Sequence, residues 1–294
     1  MKKIYKTITA LLLVCIMVIP GSLSANAAAI AFATDYATLK TAIDNKADTI
    51  IIMNDISLAD VISITYDVTI ASNGATIYPA SGKFHFNVLN SSDITVTFQG
   101  VILDGNQICG GILTYANAII DGAVIKNCVS SGNGAIYGRG RLTLNNCEFI
   151  NNRSTSYGGA VVATAPLTVN NCVFTNNNAG AGGGGAIYAE YTTSITSCTF
   201  TGNVAYKGGA IYFGWENSSS SSFSYQLTLL NVDFLSNSAG YGGAIYAQGF
   251  IYANHINFTY NSAGYTGGAI YFIANGSIGG KYIYYTNNTP NMFN

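Results

Sequence analysis

Three observations predict an all-β fold, a right-handed parallel β-helix with three short strands per turn and an N-terminal capping helix. They are a tandem repeat of about 26 residues, a hydrophobic period of two within each repeat, and a composition nearly empty of charge. The repeat is plainest in NNCEFINNRSTSYGGAVVA, NNCVFTNNNAGAGGGGAIYAE, TSCTFTGNVAYKGGAIYFG, NVDFLSNSAGYGGAIYAQ and HINFTYNSAGYTGGAIYFI. Each holds an aromatic residue, an asparagine three positions later, and then Gly-Gly-Ala-Ile or Gly-Gly-Ala-Val. The anchors are Phe149, Phe174, Phe200, Phe234 and Phe258, continued by Tyr284 with Asn287. Backwards, a degenerate unit at Ser130, Leu103 with Asn106, Ile77 and Ile51 keep the register. Nine intervals of 19 to 34 residues, most of them 24 to 27, give a rod of about nine turns, roughly 43 Å long at the spacing of stacked strands. A barrel or propeller is the competing architecture, but the period is too short for a four-stranded blade.

Composition agrees. The chain has 294 residues, 49% hydrophobic and 9% charged, against roughly 25% charged in ordinary domains. That excludes a charged disordered chain and a nucleic-acid binder that works by phosphate neutralisation. In a stacked rod a charge repeated at one position would face its like every ~4.8 Å, so neutral ladders of Asn, Ser, Thr and Tyr are favoured.

The elements follow in order. Lys2, Lys3 and Lys6 precede an apolar stretch from about Ala10 to Ile19, then Pro20-Gly21 and Ala25-Asn26-Ala27, the pattern of a secretory signal peptide over 1–27. Cys15 inside that stretch lacks the small preceding residue of a lipidation site. Without the leader, 13 acidic residues outnumber the basic ones slightly, and no later apolar run approaches membrane-spanning length. Residues 28–62 read as a cap: Asp35 to Asn45 has Leu39, Ala42 and Ile43 at helical spacing, and Thr49 to Met53 is β-rich. A helix there would cover the first open edge of the solenoid.

Residues 63–294 read as the β-helix. Leu142-Thr143-Leu144 and Cys147-Glu148-Phe149 both alternate, but the parity slips between them, so the chain must bend at Asn145-Asn146, a pair that tolerates the left-handed conformation. The corner recurs at Asn170-Asn171, Thr196-Ser197, Leu230-Asn231 and Asn254-His255. A third strand such as Gly185 to Ala189 closes each turn. The long interval holds an insertion over 215–226, Trp215-Glu216-Asn217 followed by five serines, which the coil spacing must extrude as a loop. It is either a tolerated insertion or a protrusion that binds. The last coil stops at Asn294 without a capping helix, so this end is expected to self-associate or be covered.

Recurring Phe-x-x-Asn and Gly-Gly-Ala-Ile, in fixed order at least five times over about residues 96 to 290, resemble the repeats of the polymorphic outer-membrane protein family of adhesins, within the wider pectate-lyase-like β-helix group. The resemblance implies a bacterial β-helix displayed on the cell surface and used in adhesion. Full-length members end in an outer-membrane barrel; this sequence shows neither that barrel nor a Leu-Pro-x-Thr-Gly wall signal.

Candidate residues follow from the register. Tyr137, Tyr188, Tyr212, Tyr246 and Tyr271 follow the Ala-Ile step. If the isoleucines face inward, these form an outward stripe, joined by loop tyrosines 157, 206, 241 and 265 and by Trp215. Aromatic faces suit sugar rings and flat partner surfaces; the same stripe could simply cover the rod, and an inward choice of the tyrosines is the alternative. Asp67 and Asp93, 26 apart, with Asp121 and Arg139 in later turns, are the candidate calcium or catalytic group, or else solvated turn acids. Glu148 and Asp233 share a column but lie about 14 Å apart, beyond a glycosidase pair. Cys128, Cys147, Cys172 and Cys198 are placed at one inward position, as free thiols or as one or two disulfides, with Cys109 in a loop; close zinc-type pairs are absent. His85 is expected outward and solvated, His255 structural at a corner.

The function expected is that of a secreted or cell-surface adhesin-like or structural protein without a cofactor, binding a surface glycan or protein and not nucleic acid. The alternative is a calcium-dependent polysaccharide lyase or another polysaccharide-active enzyme.

Overall fold

The structure, a computed structural model, describes residues 29–89, 94–215 and 225–290. The leader 1–27, Asp93, the serine run within the insertion and the last four residues lie outside them. The described chain is a parallel β-solenoid of about nine turns with one short helix near its N-terminus.

Stacked strands form three long ladders. Ladder A runs from Ile62–Ile64 through Phe86–Val88, Ile112–Thr114, Ile136–Gly138, Val161–Ala163, Ile187–Ala189 and Ile211–Phe213 into the starts of Ile245–Thr259 and Ile270–Thr286. Ladder B begins with Ile30–Ala33 on Thr49–Ile52 and continues through Val68–Ser72, Thr95–Gln99, Asn117–Asp121, Leu142–Asn145 and Leu167–Asn170. Ladder C stacks Ile56–Ser57, Thr76–Tyr78, Ile102–Asp104, Val124–Lys126, Glu148–Ile150 and Val173–Thr175, and carries the aromatic anchors. From Val129–Ser130 onward a fourth, shorter ladder D adds a separate six-stranded sheet to the three-stranded turn. Every pairing among the described residues is parallel, and alternate residues along ladders A, B and C reach a core of Ile, Val, Leu, Ala, Phe and Cys.

The helix is Tyr36–Asp44, with Leu39, Ala42 and Ile43 buried. Asp35 Oδ1 accepts from Thr38 N at 2.8 Å while Thr38 Oγ1 accepts from Asp35 N at 3.1 Å, a reciprocal capping box that starts the helix. Its apolar face joins the main core beside the first strands of ladder B.

The corner between ladders B and C is where the sequence places it. Asn146, Asn171, Ser197, Asn231 and His255 have φ between 54° and 57°, and in earlier turns Gly100 and Gly122 hold the same position. The His255 ring stacks on Tyr282 at 4.5 Å, one rung on. A second left-handed corner follows ladder C at Asn151, Asn176, Gly202, Ser236 and Tyr260. Between the corners Phe149, Phe174, Phe200, Phe234 and Phe258 stack face to face, with centroids 4.7 to 5.0 Å apart, and the stack ends on Tyr285.

This register corrects several anchors. The column runs Ile56, Ile77, Leu103, Ile125, Phe149 at its start and Phe258, Tyr285 at its end. Ile51 is in ladder B, Ile125 takes the place assigned to Ser130, and Tyr285 with Asn288 replaces Tyr284 with Asn287. Where the aromatic is missing or doubled, a shift of one residue exchanges the faces and the motif alone cannot fix parity. Asn106 is exposed in a left-handed turn.

The asparagine of each Phe-x-x-Asn unit is wholly buried. Asn152, Asn177, Asn203, Asn237, Asn261 and Asn288 form a ladder in which each Nδ2 donates to the carbonyl of the previous coil's anchor position and, up to Asn261, to the next asparagine's Oδ1. Cys128 heads this column: its N–H donates to Asn152 Oδ1 at 3.1 Å. It is therefore not in line with Cys147, Cys172 and Cys198, which share an inward column with Val232 and Ile256. All five described cysteines are free thiols, and all are buried.

Candidate functional site

The Gly-Gly-Ala-Ile step brings the chain from ladder D into ladder A. In Gly184-Gly185-Ala186-Ile187 the first glycine has φ 70°, and a Cβ on the second would run into the backbone of Gly209 and Val204 in the next turn. The alanine and isoleucine are fully buried, so the next residue points away from the core. Ladder A then aligns Tyr137, Val162, Tyr188, Tyr212, Tyr246 and Tyr271 one above another.

The outward direction holds, but the exposed stripe does not. Tyr188, Tyr212 and Tyr246 are 5%, 1% and 7% exposed, in a second apolar cluster outside the main core. They are covered because the ladder D segments fold back over them: a Cβ on Gly183 would strike the Tyr212 ring, and the Tyr157 ring packs against Tyr188 at 4.6 Å, tilted by 46°. Tyr241 bridges Tyr265 and Tyr271 in the same manner. Tyr137 and Tyr271, near the ends of the stripe, remain half-buried, and Trp215 is 42% exposed.

At one end this covering stops, and a recess of about 380 Å³ opens against Tyr137, Tyr157, Tyr188, Glu190 and Trp215. The Tyr188 hydroxyl donates to Glu190 Oε1 at 3.2 Å. Trp215 Nε1 donates to the Glu190 carbonyl at 3.2 Å, and its ring meets Tyr191 edge-on, which in turn packs on Tyr225 at 4.6 Å. Burial raises the Glu190 pKa, against the opposing pull of the Tyr188 hydrogen bond and the Arg139 charge. Arg139 stands two rungs earlier in Glu190's column, with its guanidinium over the rings of Tyr115 at 5.1 Å and Tyr137 at 6.0 Å. Glu190 was not singled out from the sequence, although its position two residues after Tyr188 on an outward strand was a usable signal.

The acidic candidates do not converge. Asp67 is in register with Thr95, whose N–H it accepts at 2.7 Å, so the turn there is 28 residues long and not 26. Asp93 lies outside the described residues. Asp121 stands at the other end of ladder B, where Asn146 Nδ2 donates to it at 2.7 Å. Four residues of strand separate the Asp67 and Asp121 positions, about 13 Å. Arg139 belongs to ladder A's edge and not to this group. Among the described residues no three of His, Cys, Asp and Glu gather as a metal site.

His85 is fully buried, not solvated. It lies in the coil before Phe86–Val88, where its N–H donates to Gly111 O at 2.9 Å and the ring turns in beside Cys109, Nδ1 to Sγ 4.0 Å. Burial pushes its pKa down to about 4.

Residues 146–164, 171–190, 197–214, 231–248 and 255–273 match the family model of the Chlamydia polymorphic membrane protein repeat. Each match begins at the left-handed corner before ladder C and ends just past ladder A, so the recess is built from the first two matched units and the residues beside them. No curated protein and no solved structure matches the chain.

Proposed function

We propose, from the premise that this chain carries Chlamydia-type polymorphic membrane protein repeats on a parallel β-solenoid, that it is a cell-surface adhesin-like protein whose side wall binds a surface glycan or protein. The repeat family is outer-membrane or cell-surface associated, and the leader read in 1–27 agrees with export. One observation carries the binding reading. The tyrosine ladder that loops cover at Tyr188, Tyr212 and Tyr246 opens at Tyr137, Tyr157 and Trp215, leaving aromatic faces beside a half-buried carboxylate. Elsewhere the wall presents neutral ladders, which suit a rod that holds a binding surface away from the membrane.

The test is attachment. Beads coated with the full chain should bind epithelial cells, and a Tyr157→Ser, Trp215→Ser double variant should bind several-fold less while its circular dichroism spectrum stays that of the parent. Equal attachment by both proteins removes this face from the reading, and no attachment by the parent protein removes the reading.

A further inference from the structure

We propose that the recess between Tyr157 and Trp215 is a subsite for a neutral sugar ring of a surface glycan, stacked against those aromatic faces with Glu190 accepting its hydroxyls. This rests on the adhesin-like reading above and names the ligand class for it.

The rings are held before any ligand arrives. Tyr157 is braced by its tilted ring contact with buried Tyr188, 4.6 Å away, and Trp215 by its hydrogen bond to the Glu190 carbonyl and its edge contact with Tyr191. Pre-set aromatic faces lose little conformational entropy on binding. A pyranose offers the complementary surface: patches of C–H on its faces and hydroxyls around its rim. The volume of about 380 Å³ lies at the small end of ligand sites, enough for one or two rings and too little for a folded partner element.

Charge selects a neutral ring over an acidic one. Glu190 is the charged residue lining the recess, so a second anion beside its carboxylate would be repelled in a partly desolvated setting. The cation that could compensate, Arg139, lies outside the lining, laid across Tyr115 and Tyr137. One Glu190 oxygen is engaged by the Tyr188 hydroxyl at 3.2 Å. A carboxylate has capacity for further donors, and sugar hydroxyls supply them.

Trp215 is the single tryptophan of the chain, so its fluorescence reports on the recess directly. The full chain is titrated with hexamers of glucose, mannose, galactose and N-acetylglucosamine, and with galacturonate hexamer as the acidic comparison. The expected result is a saturable change in emission with at least one neutral hexamer, weakened tenfold or more by Glu190→Gln and by Tyr157→Ser in protein whose circular dichroism spectrum matches the parent's. No change with all four neutral hexamers overturns the proposal. So does a response confined to galacturonate, or a neutral response untouched by either variant. If the coated beads still attach to cells while the neutral hexamers give nothing, the sugar subsite falls and the adhesin-like reading stands. If both fail, both fall.

Discussion

Asn177 donates from its side chain to Asn203 Oδ1 at 3.0 Å, and its backbone N–H reaches the same oxygen at 2.9 Å, with both residues wholly buried. One amide oxygen thus satisfies two donors of the turn before it, and Asn203 Nδ2 donates in turn to Phe174 O at 3.0 Å. Asparagine is required because the position must accept on one side and donate on the other.

Asn203→Ala should therefore cost about 3 kcal/mol or more, since it strands both Asn177 donors in a dry interior and each buried unsatisfied group costs roughly 1–3 kcal/mol. Urea unfolding followed by circular dichroism measures it. A loss under 1 kcal/mol would mean that water replaces the amide and that the ladder is not a stabilising element.

The glycines separate by role in the same way. A Cβ at Gly209 would meet the backbone of Gly243 and Ser238 in the next turn, whereas at Gly264 its nearest neighbours are at 3.9 Å and φ is not left-handed. Gly209→Ala should disrupt the stacking of turns and lower the yield of folded protein. Gly264→Ala should be neutral or stabilise by up to about 1 kcal/mol through the unfolded chain. Comparing the two melting temperatures tests close packing of turns at the entry to ladder A.

Most of the solenoid was legible because its rules are local. A parity slip needs a left-handed residue, and Asn146, Asn171, Ser197, Asn231 and His255 all adopt it. Turn lengths were less legible where an anchor is aliphatic. Ile125 is one of several apolar residues in its coil, and only pairing with Phe149 singles it out. The site was harder still. Alternation gives the side of the sheet to which Tyr212 points, but its burial depends on where a glycine-rich loop folds back, and glycines carry no pattern that encodes a path. Cys128 was misplaced for a related reason, since it replaces an asparagine and not a neighbouring cysteine.

Burial makes His85 a source of acid sensitivity. Its folded pKa of about 4 lies below the ordinary 6.5, so the unfolded chain binds the extra proton first. The stability linked to neutral His85 is complete above pH 6.5 and is lost as pH falls through 4. A shift of this size corresponds to about 3 kcal/mol. His85→Gln should flatten the fall of stability between pH 6.5 and 4 relative to the parent. An identical slope in the two proteins would place the histidine in water.

The covering of the tyrosine ladder predicts a contrast within one residue type. Tyr212 is 1% exposed between Tyr188 and Tyr246, and Tyr260 is 58% exposed at a corner. Tyr212→Ser should cost about 3 kcal/mol or more, as for loss of a buried aromatic ring. Tyr260→Ser should cost under about 0.5 kcal/mol. Thermal melts of the two variants decide it, and equal losses would contradict the folded-back loops.

The thiol column gives a last prediction, in which reactivity and packing should part. Cys147, Cys172 and Cys198 are buried, and the surrounding thiols and apolar neighbours hold the Cys172 pKa well above the usual thiol range. Burial closes all three sulfurs off from a reagent, and at Cys172 the raised pKa also withholds the reactive thiolate, so Ellman's reagent should leave the three untouched in the native protein and modify them only in denaturant. Their chemistry is also dispensable, because Val232 and Ile256 occupy the same column in later turns. The Cys172 thiol does donate to Asn170 O at 3.2 Å, but that carbonyl also accepts from Asn146 N at 2.9 Å and keeps a partner without the sulfur, so what valine removes is the long contact in which Cys172 Sγ accepts from Cys147 N at 3.4 Å. Cys172→Val should therefore cost less than about 1.5 kcal/mol, as a near volume-conserving change. Cys172→Asp, which buries a carboxylate among thiols, should not fold. Rapid native labelling of Cys172, or a Cys172→Val loss as large as that of Asn203→Ala, would show that the column is not the apolar slot its later occupants indicate.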